Sequence, residues 1–360
     1  MRVSLAMIVR DEEPTIARVL ADAASCCDEL VVLDTGSTDA TPQLAAQAGA
    51  QVLEFTWTDD FAAARNAAFA ACTGDWILWL DADDRLPPAV QQRLLAAKHG
   101  TLLRTDIDAV MVPYHYQISD AGEHCTYSFL RERLLRRRAG LRWHGVVHEV
   151  IAIPAGRSII AEDLWVEHHP DPSHRRRNAD RNLRILQHAI DTGDRSARTL
   201  FYYGNELRDH QRYAEAADGY RDYLQVSTLA WERYTALLHL AECCRAQGET
   251  NAELMHLLDA VGADSSRAEA YVRAGVYFYE RQQWAQAVPL FVAATACVRP
   301  VEGFVNEPDY AYLPWDYLLV CYSRLGQRQA ALAASAQALP DNPDADRVRT
   351  NIEMTRKLPT

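Results

Sequence analysis

The sequence predicts an α/β domain built on a mostly parallel sheet, followed by an all-α helical solenoid, and three observations carry that reading. Short apolar runs alternate with helical patterns over the first half, the order that a parallel sheet with helices on its faces requires. One run, Asp75-Trp76-Ile77-Leu78-Trp79-Leu80, ends abruptly in Asp81-Ala82-Asp83-Asp84. A buried strand thereby delivers carboxylates at its carboxyl end, where open α/β sheets hold ligands. From residue 200 onward the pattern is helical and recurs at a fixed interval.

A length of 360 residues favours two domains, with expected boundaries at 1–172, a connecting helix over 173–198 and repeats over 199–360. With 49% hydrophobic and 24% charged residues the chain can bury real cores, and no run approaches the ~18 apolar residues of a membrane span. The formal net charge of −12 argues against general nucleic-acid binding, which needs a cationic footprint. Met1 to Val9 runs straight into Arg10-Asp11-Glu12-Glu13 without a small-residue cleavage site, so it reads as a first strand and not a leader. Eight cysteines, none in a Cys-x-x-Cys pair, predict a reduced, cytoplasmic setting.

Taken in order, residues 3–9 form the first apolar run, and Pro14 to Ala24 carries apolar residues at helical spacing with proline in an early turn. Leu30-Val31-Val32-Leu33 closes on Asp34-Thr35-Gly36-Ser37-Thr38-Asp39, after which Thr41 can cap a short helix, with Pro42 at its start and Gly49 at its end. Gln51 to Trp57 is a third strand, Phe61 to Cys72 a third helix and Asp75 to Leu80 the fourth strand; Pro87 to Lys98 is then helical, and Asp84 suits its cap. The loops at 10–13 and 34–39 converge with the acidic turn at strand carboxyl ends, where their acceptors suit a base or ribose.

Four segments together resemble the successive motifs of family 2 glycosyltransferases: Met7-Ile8-Val9-Arg10-Asp11-Glu12-Glu13, Val31 to Asp39, Phe61-Ala62-Ala63-Ala64-Arg65-Asn66 and Gly74 to Asp84. That resemblance, over roughly residues 1–170, implies the Rossmann-like A-type (GT-A) nucleotide-sugar fold and inverting transfer from a nucleotide-sugar donor, a UDP-sugar being the first expectation. It implies that Val9, Arg10, Glu12, Asp34 and Thr35 meet the nucleoside, that Asp81 and Ala82 lie by the ribose, and that Asp83 coordinates a Mn²⁺ or Mg²⁺ bridging the diphosphate. Many members carry a second aspartate where this chain has Thr35. Arg65 fits a contact with base or phosphate, or else a helix-face pair with Asp59 or Asp60.

Further along, Phe129 to Arg138 is basic and reads either as a solvated strand face or as a clamp for an anion. Arg142 to Ile151 contains His148-Glu149 leading into a strand, similar to the His-Glu element of the transferases that carry helical repeats. Inverting transfer needs one base to take the acceptor proton. Glu149 is the first candidate and His148 the second, and strand neighbours face opposite ways, so one of the two serves the site. A last strand, Ile159 to Glu167, ends in His168-His169-Pro170; His168 is the candidate that completes the metal site, since imidazole suits Mn²⁺ as carboxylate does.

A connector helix is expected over Arg175 to Ile190. Gly204, Leu207, Tyr213, Ala216, Tyr220 and Tyr223 then have the offsets of a tetratricopeptide repeat, and these recur from Ala241, from Gly275 and from Leu319, with Val301 to Pro314 as an insertion. Four helix pairs can bury their faces against one another, so their aromatic and leucine positions are core first. Fused repeats suggest recruitment of a peptide or protein acceptor, or a homodimer held through the repeats. The alternatives are a nucleotidyltransferase, disfavoured because residues 10–15 contain no glycine, and an inactive repeat scaffold, disfavoured by the intact Asp81-Ala82-Asp83.

Overall fold

The computed structural model describes residues 1–100, 102, 106–118, 125–170, 180–301 and 303–358. These fall into two compact units, the first containing residues 1–118 and 129–194, the second residues 125–128 and those from 195 onward. The division after residue 194 falls within the expected connector 173–198, and the helix Arg181–Asp191, which buries Leu183, Ile185 and Leu186 and pairs Arg184 with Asp59 at 2.7 Å, clusters with the first unit. Residues 175–179 of the expected connector lie outside the described residues.

In the first unit the chain runs β1 (Val3–Val9), α1 (Ile16–Ala24), β2 (Glu29–Asp34), α2 (Thr41–Gln47), β3 (Gln51–Glu54), α3 (Phe61–Ala71) and β4 (Trp76–Trp79). It continues through β5 (Asp84–Arg85), α4 (Pro88–His99), β6 (Ala109–Ile118) and β7 (Cys125–Arg136, of which residues 129–136 belong to this unit), followed by β8 (Trp143–His144), β9 (Val150–Ile151), β10 (Ser158–Ile160) and β11 (Val166–His168). The main sheet has the order β3-β2-β1-β4-β7-β6-β11-β5. β1, β2, β3 and β4 are parallel; β7 runs antiparallel to β4, and β5 antiparallel to β11.

Alternation along these strands fills both faces, as strand geometry dictates. Leu5, Met7, Val32, Trp76 and Leu78 share a core with α1 and α4, while Ala6, Val31, Leu33 and Ile77 pack on Ala64 and Ala68 of α3. The register Val9↔Asp34 brings the ends of β1 and β2 level. The expected strand from Ile159 to Glu167 is broken into β10 and β11, and the segment 142–151 contributes two two-residue strands with a bend between them.

The second unit contains the helix pairs 197–209 with 213–226, 230–246 with 250–263, 268–280 with 284–295 and 313–324 with 328–338, then a last helix at 345–356. Small residues sit where paired helices touch: a methyl added at Gly204 would lie 2.9 Å from Tyr220, and one at Gly275 would lie 2.5 Å from Phe291. Each pair turns on a left-handed residue, Gln211, Gly248, Gln282 and Gly326 in succession. The insertion is held within its own unit by a strand pairing and a side-chain bond. Val305–Asn306 pairs antiparallel with Tyr127 and Ser128, and Tyr310 donates its hydroxyl to Glu269 at 2.7 Å. The eight cysteines form no disulfide, and among the described residues no helix is long and apolar enough to cross a membrane.

Candidate active site

The loops after β1 and β2 are stitched to each other. Thr35 is buried and gives both its amide and its hydroxyl to the Val9 carbonyl, at 2.9 and 3.0 Å. Asp34 is buried as well; its carboxylate accepts from the amides of Gly36 and Ser37 and from the Ser37 hydroxyl, closing the turn. Asp11, with φ of 55°, takes the Thr38 amide at 2.7 Å, and the Glu12 amide donates to Thr41 Oγ1 at 2.7 Å. Val9 lies in the core, Glu12 is half-buried and Arg10 is exposed. Asp34 and Thr35 thus build the loop's shape, and Arg10 and Glu12 are among its reachable polar side chains.

β4 ends at Trp79, and the turn beyond it is locked from both sides. The Asp84 amide donates to the Asp81 carbonyl at 3.1 Å, and Asp84 Oδ2 accepts from the Asp81 amide at 2.9 Å. Asp84 has no exposure. Its remaining lone pairs take Arg133 Nη1 at 3.0 Å and the Tyr114 hydroxyl at 2.8 Å. Arg133, 1% exposed, lies over the Trp79 and Tyr114 rings at 3.9 and 4.4 Å. Burial raises the Asp84 carboxyl to about 6 against the pull of Arg133, with Asp81 and Asp83 adding to the rise. The expected helix cap by Asp84 is therefore corrected: Pro87 precedes α4, and Asp84 braces the acidic turn from beneath. Within β7 the basic run is likewise no solvated face, since Arg133 and Arg136 are buried, while Arg137 and Arg138 beyond the strand are exposed.

Beside that brace, Asp83, Asp84 and His168 bring a ligand atom each within 4.8 Å of one another. β11 carries His168 to the turn, and the His169 amide fixes the approach by donating to the Asp83 carbonyl at 2.8 Å. His168 Nδ1 is buried without a hydrogen-bond partner, 3.6 Å from Asp83 Oδ1 and 4.0 Å from Asp84 Oδ1. A buried ring nitrogen left over at that spacing from carboxylate oxygens fits a divalent cation better than direct pairing. Asp84 Oδ2 is taken by the Asp81 amide and Arg133, whereas Asp84 Oδ1 accepts only from Tyr114 among these bonds, so an ion could reach Asp83 and His168 and also Asp84 Oδ1. The Tyr116 ring stacks on His168 at 4.8 Å. Burial lowers the His168 pKa, and the Asp83 carboxylate ahead of Asp84 and Asp81 outweighs it, giving a net rise.

Arg65 on α3 joins Asp81 to Glu149. Its Nη2 lies 2.7 Å from Asp81 Oδ1, its Nε bonds Glu149 Oε1, and its guanidinium sits 4.6 Å from the Trp79 ring and 5.4 Å from the Trp143 ring. Neither alternative partner takes it: Asp59 pairs with Arg184 at 2.7 Å, and Asp60 caps α3 through the Ala63 amide. Burial works to raise the Asp81 carboxyl, but Arg65, Arg133 and Arg131 hold it at about 2. Ala82 is buried in the turn. His148 is half-buried with φ of 52°, a left-handed conformation uncommon outside glycine. Sequence reasoning missed Asp84, Tyr114, Arg133 and the two tryptophans around Arg65. The available signal was three carboxylates in four residues at the end of a buried strand, a density that demands buried cations.

Residues 4–148 match the model of the family described as glycosyl transferase family 2. A tetratricopeptide repeat-containing protein of Synechococcus elongatus is 44% identical over 156 residues, 42% of this chain and 35% of that protein. The glycosyltransferase SunS of Bacillus subtilis is 25% identical over 248 residues, 67% of this chain and 56% of SunS. The chain thus spans about a third and about half of these relatives' own lengths. Among solved structures, S. aureus TarS 1–349 aligns at 14% identity and a TM-score of 0.37, over 79% of this chain and 92% of that one.

Proposed function

We propose, from a first domain of family 2 glycosyltransferase type joined to tetratricopeptide repeats, that this chain transfers a sugar from a nucleoside diphosphate donor to an acceptor with inversion. The observation that carries the reading is the braced Asp81-Ala82-Asp83 turn at the end of β4 with His168 Nδ1 left unpartnered beside it. Asp83 and His168 would hold Mn²⁺ or Mg²⁺, which when bound neutralises the departing diphosphate. Asp81, fixed by Arg65, would receive ribose hydroxyls, while Arg10 and Glu12 would face the nucleoside. Asp34 and Thr35 would shape that pocket without reading the base.

The acceptor proton must pass to a base within hydrogen-bond reach of the attacking atom. Of the two expected candidates we take His148, whose left-handed backbone is the kind of strain found at functional sites and which is not sealed in the core. The repeats would recruit the acceptor, a peptide or protein by preference, because stacked helix pairs form extended concave surfaces. A thermal-shift screen of nucleotide sugars with and without Mn²⁺ tests the proposal: one donor should raise the melting temperature only with the ion, by mass action on the folded state. No metal-dependent shift from any donor would defeat it.

A further inference from the structure

We infer that Glu149 is a positioning residue for the donor, acting through Arg65 on Asp81, and that it does not accept the acceptor's proton. The inference rests on the donor reading given above. Glu149 is 5% exposed, and one carboxylate oxygen is engaged by Arg65 Nε, itself 7% exposed. A base must touch the hydroxyl or thiol it deprotonates, and a carboxylate sealed behind a guanidinium offers no such approach.

What the geometry offers instead is a relay of fixed charges. Arg65 uses two edges of its planar fork, Nε for Glu149 and Nη2 for Asp81 at 2.7 Å, so moving either acid turns the other. Trp79 and Trp143, edge to face at 5.0 Å, both lie against the guanidinium, their ring centroids 4.6 and 5.4 Å from its carbon. Asn66, next to Arg65 on α3, gives its amide to the Trp143 carbonyl and takes the Trp143 amide, both at 3.0 Å. The segment from Trp143 to Glu149 is thus registered on the helix that carries Arg65. Asp81 and Glu149 share Arg65; Arg133 and Arg131 add to its pull on Asp81, and the Asp81 side chain remains 36% exposed. A donor hydroxyl would meet an acid already oriented, at no reorganisation cost on binding.

Glu149→Gln keeps the size and an acceptor oxygen while removing the charge that grips Arg65. Binding of UDP, GDP, CDP and dTDP with Mn²⁺ is measured for parent, Glu149→Gln, Asp81→Asn and the double variant, with pH–rate profiles wherever transfer is detected. Glu149→Gln is expected to weaken the parent's preferred nucleotide by about tenfold to a hundredfold, mainly as a rise in KM, and to keep the acid limb of the kcat profile. Adding it to Asp81→Asn should cost little more, because both act through one contact. Arg65→Lys, which keeps the charge but loses the fork, should reproduce the binding loss if Glu149→Gln does not fold. Unchanged nucleotide affinity with a collapse of kcat and loss of the acid limb would make Glu149 the base and overturn the inference. Absence of metal-dependent binding by the parent would overturn the donor reading, and this inference with it.

Discussion

Asp84 and Asp81 hold each other by two backbone-anchored bonds, Asp84 Oδ2 to the Asp81 amide at 2.9 Å and the Asp84 amide to the Asp81 carbonyl at 3.1 Å. The residue that looks like the third acid of a solvent-facing cluster is the buried strut beneath the other two. Asp84→Asn leaves Arg133 without its carboxylate in the core, and an uncompensated buried charge costs about 3 kcal/mol or more. We expect a clear fall in urea stability of the first unit together with loss of Mn²⁺-dependent nucleotide binding; a variant that lost binding with parental stability would contradict the strut.

Asp83 is partly exposed and stands 3.6 Å from His168 Nδ1 without a hydrogen bond to it, so Asp83→Ala should leave the melting temperature within about a degree of the parent. Transfer should fall by at least a hundredfold, on the scale of removing one transition-state contact. Chelation of divalent ions from the parent should give the same loss, restored by Mn²⁺. Parental turnover in Asp83→Ala would show that the ion is held elsewhere.

Gly275 and Gly262 make a paired test of the repeat packing. A methyl at Gly275 meets Phe291 at 2.5 Å, whereas one at Gly262 meets nothing within 4 Å. Gly275→Ala should destabilise by ~1–3 kcal/mol through overpacking. Gly262→Ala should stabilise by up to ~1 kcal/mol, since alanine is the better helix former. Chemical denaturation followed by circular dichroism reads both signs.

Asp309 gives the second unit a pH dependence of known sign. Burial first, then the Glu269 charge, pushes its carboxyl from 3.8 up to about 7, with Asn306 and Arg273 acting the other way, and its Oδ1 has no hydrogen-bond partner. The folded state therefore keeps a proton that the unfolded state releases. This contribution to stability is full below about 4, is lost as pH rises through about 7, and is flat above. Asp309→Asn should remove a pH-dependent contribution on the order of 4 kcal/mol over that whole range. Melting curves of parent and variant from pH 5 to pH 8 would diverge; parallel curves would refute the assignment.

Much of the architecture was legible because it is written in local patterns. Apolar runs that end on Asp34 and Asp81 mark strands whose carboxyl ends emerge from the core, and Gly204 and Gly275 mark helix contacts. Pairings across long separations were not legible. Arg65 has two acids within six residues, Asp59 and Asp60, and instead bonds Asp81 and Glu149, 16 and 84 residues away. Glu149 stands beside His148 in the chain and reads as the first candidate base, and only its burial behind Arg65 and the left-handed backbone of His148 reverse that order. Arg133 reads as one of several arginines on a basic strand, until the neighbouring β4 supplies Asp84.

The sequence by itself determined the two-part design, the parallel sheet, the repeat and the place where acids leave the core, because periodicity and strand termini are local consequences of where apolar side chains must go. Tertiary structure alone decided which acid faces solvent, which is a strut and which grips a cation. Those roles depend on desolvation and on the charges that converge from distant strands, and neither quantity exists until the sheet has formed.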